Sequence, residues 1–216
     1  MFHDRLLEAT ATEREHLLTR PILGRVLSGD FSLANYVQFL VNAYHHVRHT
    51  VPLMMAMGAR LGDRGAWMLP ALKAYIDEEI GHEQWIASDL ESCTDDVADR
   101  LSTPPALEVE VMVSYVYDQI QRVNATGFLG MVLVLEGTST ALATAMADLV
   151  QKKLGLPDTA FSYLRSHGDL DVEHVKHFAA LVNRIDVTED QDAVIHVARR
   201  VYRLYANVLD QAGTAA

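Results

Sequence analysis

Three sets of side chains in this sequence have the types and spacing to hold a metal ion. His167, Asp171 and His174 stand at i, i+4 and i+7, which places two imidazoles and a carboxylate in one stripe on one helix face. Donors of that kind suit a borderline divalent ion such as iron, manganese or zinc. Glu79 and His82 stand at i, i+3 in the run Asp77-Glu78-Glu79-Ile80-Gly81-His82-Glu83, where Glu78 is also one turn from His82. A Glu-x-x-His pair is a building block of carboxylate-bridged two-metal sites in helical bundles. Each set alone also fits a hydrated polar face carrying local ion pairs.

Glu136 changes that balance. From Ala125 to Met146 it is the only ionisable residue. A lone ionised carboxyl inside apolar surroundings is costly unless it takes a proton, a partner or a metal. The other two sets hold the residues able to bind such a cation, so Glu79, His82, Glu136, His167, Asp171 and His174 are expected to meet at one centre. His45, His46 and His49 add a further candidate. Their spacing does not decide which of them reaches the centre, and His45 is named provisionally. Met54, Met55, Met57 and Met131 are candidates for an apolar wall, although Met is more often a core gap-filler.

The elements that must carry these residues are all helical. Apolar residues recur at helical spacing and no sustained period-two run is present. Seven helices are expected: 4–19, 33–60 with a kink at Pro52, 66–91, 106–123, 126–154, 159–183 and 189–211. Short connections between them predict one all-α domain spanning 1–216. The stretch around Glu136 is long enough to span a bilayer. Its Thr, Ser and Gly content, its central carboxylate and its lack of basic flanks predict the central helix of a bundle instead.

Composition narrows the function classes. Half of the 216 residues are hydrophobic, which is enough to build a core and argues against disorder. The single cysteine, Cys93, rules out an internal disulfide framework and predicts a reducing, cytoplasmic setting. The opening Met1-Phe2-His3-Asp4-Arg5 does not read as a secretion signal. A net charge of −11 argues against nucleic-acid and anionic-membrane partners. A two-fold homodimer is the expected assembly.

The order Glu-x-x-His, then a lone Glu on an apolar helix, then His-x3-Asp-x2-His resembles the heme-oxygenase-like diiron oxidases. These sit in the wider superfamily of heme oxygenase, the thiaminase-like TenA proteins and the pyrroloquinoline-quinone synthase PqqC. Leu27-Ser28-Gly29-Asp30-Phe31-Ser32, followed by Tyr36 and Tyr44-His45, is similar to the opening of that superfamily. The resemblance implies a seven-helix heme-oxygenase-like fold. It also implies two Fe(II) ions held by Glu79, His82, bridging Glu136, His167, Asp171 and His174, with O2 as co-substrate. The substrate would be a small organic molecule: an amino acid, a fatty acid or an aromatic precursor. Some relatives carry a further carboxylate seven positions before the third-helix His, where this chain has Tyr75. Others take one from the preceding helix, where this chain has histidines.

Three alternatives remain at this point. A heme protein would use His16, although Glu136-Gly137-Thr138 puts a carboxylate where a heme wants close backbone approach. A TenA-like hydrolase needs a cysteine nucleophile in the pocket, and Cys93 falls in the acidic linker. A non-catalytic metal-binding bundle would hold iron without consuming O2.

Overall fold

The structure, a computed structural model, describes residues 1–215 and the side chains of all but residues 167–174. No strand occurs among the described residues, and the chain folds as helices throughout. In order these are α1 (Phe2–Ala9), α2 (Ala11–Leu18), α3 (Pro21–Ser28), α4 (Leu33–Val47), α5 (Thr50–Arg60), the single turn α6 (Gly62–Gly65), α7 (Leu69–Glu79), α8 (His82–Glu91), α9 (Val97–Ser102), α10 (Leu107–Asp118), α11 (Leu129–Leu154), α12 (Ser162–Val182) and α13 (Thr188–Ala212). Buried hydrophobic residues from Phe2 to Leu209 form one connected cluster.

The seven expected helices are present but several are divided, each for a local reason. The second breaks at Arg48–His49 rather than bending at Pro52. Proline lacks an N–H and its ring crowds the carbonyl four residues earlier, which here is Arg48. The break therefore falls one turn before the proline. The third breaks at Ile80–Gly81, where Ile80 is extended and Gly81 takes φ +93°, a conformation that only glycine adopts cheaply. Glu79 and His82 thus lie on two helices, not one. The segment 21–28, which falls between the first two expected helices, is itself a helix with Pro21 in its first turn and Gly29 in the left-handed conformation at its end.

Ser32 caps α4 as expected: its side chain accepts from the Asn35 amide, while Asn35 Oδ1 accepts from the Ser32 amide. The N-terminus of α12 is capped from outside its own chain segment. Asp89 of α8, fully buried, accepts from the amides of Ser162 and Tyr163 at 2.9 Å and from the Ser162 hydroxyl. This one carboxyl joins α8, which starts at His82, to α12, which carries Tyr163. Removing it in Asp89→Ala is expected to cost about 1–2 kcal/mol, read as a Tm fall of roughly 2–4 °C per kcal/mol. Asp89→Asn keeps an acceptor and should lose less; equal losses would mean that the cap is not the cause.

At the centre, α11 packs along α12 and α13. By length and composition the stretch Ala125–Leu154 could cross a membrane, and half of its most apolar window is buried by other helices. From Leu129 to Val134 every residue of α11 is buried. The run is apolar because it is surrounded on all sides by protein, and it leads directly to Glu136.

Candidate metal centre

Glu79 from the end of α7, Glu136 from the middle of α11 and His46 from α4 all line one cavity of about 70 Å³. Glu79 and His46 are buried side chains. Glu136 is half-buried as a residue, with its Oε2 sealed from solvent. The rest of the wall includes Met54, Phe128, Met131, Val132 and Leu135. No Lys or Arg lines the cavity among the described residues, and residues 167–174 contain neither type. Two carboxylates facing one small space with no Lys or Arg in its described wall form a site that favours a cation.

His82 is buried and does not line the cavity. Its Nδ1 lies 3.0 Å from Glu79 Oε2, and its ring stacks on Trp85 with centroids 4.1 Å apart. The turn at Gly81 makes this pair: it folds the chain back so that Glu79 and His82 turn inward while Glu78 and Ile80 stay exposed. Of the two acids that could pair with His82, the buried one is therefore Glu79.

Among the three histidines near the end of α4, His46 faces the cavity, with its ring edge-on to Tyr205 at 5.8 Å. His45, the residue named from sequence, is buried but does not line it. His49 places Nδ1 3.2 Å from the Tyr117 hydroxyl. His167, Asp171 and His174 lie outside the described residues. Among the described residues no three His, Cys, Asp or Glu side chains are grouped closely enough to hold an ion. The described side chains are of types that suit a hard-to-borderline divalent cation; the further donors expected from sequence, His167, Asp171 and His174, fall within the range of α12.

Burial, followed by the nearby Arg48 charge, holds the His49 imidazole below its ordinary range. A depressed folded pKa gives stability that is complete above the unfolded value of about 6.5 and is lost as pH falls through the folded value. The Tm is expected to drop on acidification from pH 7.5 to 5, with His49→Gln flattening the slope. Unchanged slopes in the variant would remove His49 as the cause.

Sequence reading missed Tyr205. It sits on α13, lines the acid-lined cavity, and has its phenol pushed up to about 12 by burial. Its only sequence signal was a hydroxyl on an otherwise apolar stripe. Tyr205, Ser139 and Tyr163 also border a second cavity of about 100 Å³ between α3, α4, α11, α12 and α13. The lining of that space is almost wholly apolar and includes no charged residue among those described.

Met54 and Met131 line the cavity with Glu79 and Glu136, Met57 is core, and Met55 is exposed. His16 is exposed on α2, its Nε2 3.4 Å from Arg20, and it lines neither cavity. Burial raises the Cys93 thiol to about 11, with Asp89 adding to the shift, and Cys93 lines neither cavity either. A thiol held protonated is a poor nucleophile.

Comparison with known proteins agrees with this architecture. A family described as iron-containing redox enzymes matches residues 37–206. No curated protein matches the sequence. The chain is similar in structure to a domain of unknown function with a heme oxygenase-like fold from Shewanella denitrificans. The TM-score is 0.88 at 24% identity, over 97% of this chain and 91% of that one. It is also similar to heme oxygenase-1 from the cyanobacterium Synechocystis, solved with heme, with a TM-score of 0.77 at 11% identity over 97% and 91%. A CADD-like protein of unknown function from Nostoc punctiforme gives 0.74 at 17% over 98% of both chains. At these identities the likeness establishes the fold.

Proposed function

Because this chain belongs to the iron-containing redox enzyme family, we propose that it is a non-heme, O2-dependent oxidase of a small organic substrate. Its metal site would be built from Glu79, His82 and Glu136, with His167, Asp171 and His174 as the remaining donors and two Fe(II) ions as the complement. The observation that carries this reading is the convergence of Glu79, Glu136 and His46 on one cavity whose described wall has no Lys or Arg. Iron bound there would supply the redox chemistry and the site for O2.

The protein's own part is to position and to exclude water. His82, with Nδ1 3.0 Å from Glu79 Oε2, pairs with that carboxylate and helps to hold it in place. Met54, Phe128, Met131 and Val132 keep the acids in an apolar setting, which strengthens their attraction for a cation. Tyr205 holds its phenolic proton at neutral pH and presents its ring to His46. A heme reading through His16 gains nothing from that residue's exposed position.

Anaerobic loading with Fe(II), followed by metal analysis and O2-uptake measurements, tests the proposal. About two irons per chain and O2 uptake that depends on an organic substrate are expected. Fewer than one iron per chain would overturn it. Full loading with no O2 uptake would favour the non-catalytic bundle.

A further inference from the structure

A third cavity, of about 210 Å³, lies between the α5–α6 corner, the stretch that follows α10 and the start of α13. It shares no wall residue with the acid-lined cavity or the apolar one, and its exposed wall is mostly polar. A π turn over Gln119–Val123 builds one side. There the Asn124 amide reaches back five residues to the Gln119 carbonyl at 2.9 Å, a geometry that recurs at functional sites. Asn124 then joins two neighbours: its Oδ1 accepts from the Thr126 amide at 2.9 Å, and its Nδ2 donates to Asp190 Oδ1 at 2.8 Å.

Two arginines complete the wall. Arg60, at the end of α5, donates through Nη2 to the Gln121 carbonyl at 3.0 Å, and Arg64 of α6 donates through Nη2 to Asp190 Oδ1 at 3.2 Å. Among the described residues each side chain makes no other hydrogen bond, so most of the five N–H donors of each guanidinium are unused. Thr126 lines the same space and is only 4% exposed. Among the described residues its hydroxyl has no partner, whereas the hydroxyl of Thr10, also buried, donates to the Leu6 carbonyl. A buried hydroxyl without a partner is uncommon. We infer that this cavity is a binding site for a small oxyanion, a carboxylate or phosphate group, gripped by Arg60 and Arg64 and hydrogen-bonded by the Thr126 hydroxyl.

Charge and chemistry select that class. Two guanidinium groups against the single carboxylate of Asp190 leave the lining positive, in a chain whose net charge is −11. Asp190 is already engaged by Arg64 and Asn124 through Oδ1, so Arg60 is the uncompensated cation. The planar guanidinium fork matches the paired oxygens of a carboxylate or phosphate. A cation would be repelled by the arginines, and an apolar ligand would cover the Thr126 hydroxyl without pairing it. At roughly 30 Å³ for each water-sized group, the space holds about seven such groups, so the ligand is small. The inference is independent of iron and of the oxidase reading.

The test is titration of the full-length protein with inorganic phosphate and, separately, with acetate, by calorimetry and thermal shift, with ionic strength held constant by chloride. Saturable binding and a rising Tm are expected in at least one arm, and the arm that responds identifies the group. Arg60→Met should weaken that binding at least about tenfold. Thr126→Val should weaken it about two- to tenfold while leaving the ligand-free Tm equal to or above the parent's, because the buried hydroxyl it removes has no partner. Arg122→Gln removes an exposed charge nearby that does not line the cavity, and it should bind like the parent. Absence of saturable binding in both arms overturns the inference. So does a folded Arg60→Met or Thr126→Val that binds like the parent, or an Arg122→Gln that loses as much affinity as Arg60→Met.

Discussion

Glu136→Gln is expected to strip the protein of iron while leaving the fold intact or slightly more stable. The two effects have one cause. In the metal-free protein the Glu136 carboxyl, with Oε2 sealed from water on the buried helix α11, carries a desolvation penalty that an amide of the same shape does not. The apo Tm of Glu136→Gln should therefore equal or exceed that of the parent. Iron reverses the order: the parent gains stability as the ion binds the folded state, and the variant gains little. Loss of outer-sphere partners alone costs 10- to 100-fold in metal affinity or activity, so loss of this carboxylate should reduce iron-dependent O2 uptake by at least about 100-fold. Glu78→Gln, on the exposed face of α7, should leave metal content, uptake and Tm unchanged. Undiminished iron in Glu136→Gln would place the metal elsewhere, and a large fall in apo Tm would mean that the carboxyl serves the fold.

That stability–function opposition is what made Glu136 legible from sequence. A single acid in a long apolar run contradicts the pattern around it, and such contradictions mark functional positions. Glu79 was harder: beside Glu78 and Asp77 nothing in the sequence separates the buried acid from the exposed ones. The separation comes from Gly81, whose left-handed turn rotates Glu79 and His82 inward together. A glycine inside a helical pattern signals such a stop, and reading the motif as one continuous helix overlooked it. His45 and His46 are adjacent, hence about 100° apart on a helix. Which one faces the cavity depends on how α4 is rotated by its packing against α8, α10 and α13, information that no local pattern holds. The second, apolar cavity was invisible for the same reason, since its walls come from five helices spread from Ile22 to Ala212.

The division of helices follows the same physics. Helix identity was set by long-period hydrophobicity, and it survived; helix continuity was set by single residues. Pro52 stopped the second helix one turn upstream of itself, and Pro21 with Gly29 bounded a helix of eight residues between the first two expected ones. The breaks also have consequences for the site. His46 lies in the last turn of α4 before the Arg48–His49 break, and Thr50 and Met54 re-enter the cavity wall from α5 on its other side. An unbroken helix would carry those residues along a straight axis instead of wrapping them round one cavity.

Gly130→Ala is expected to be strongly destabilising, since a Cβ there meets the tightest contacts of any described glycine. A Cβ at Gly130 would lie 2.5 Å from both the Ala198 amide nitrogen and the Val194 carbonyl oxygen, and 3.1 Å from Val197 Cβ. The obstructing atoms are backbone, which cannot turn aside as a flexible side chain would, so α11 and α13 must separate. Overpacking of this kind typically costs 1–3 kcal/mol and sometimes more; with backbone on both sides we expect about 3 kcal/mol, a Tm loss of roughly 6–12 °C. The consequence reaches the site, because the same two helices carry Glu136 and Tyr205 one to two turns beyond the crossing. Parting them widens the cavity between the carboxylate and the phenol, so iron affinity should fall even in the surviving folded fraction. Gly137→Ala supplies the contrast: nothing lies within 4 Å of a Cβ there, and replacing glycine within a helix should gain about 0.5–1 kcal/mol. If Gly130→Ala melts with the parent, α11 and α13 do not cross in contact at this point, and the wall that faces Glu136 towards Tyr205 would have to be built differently.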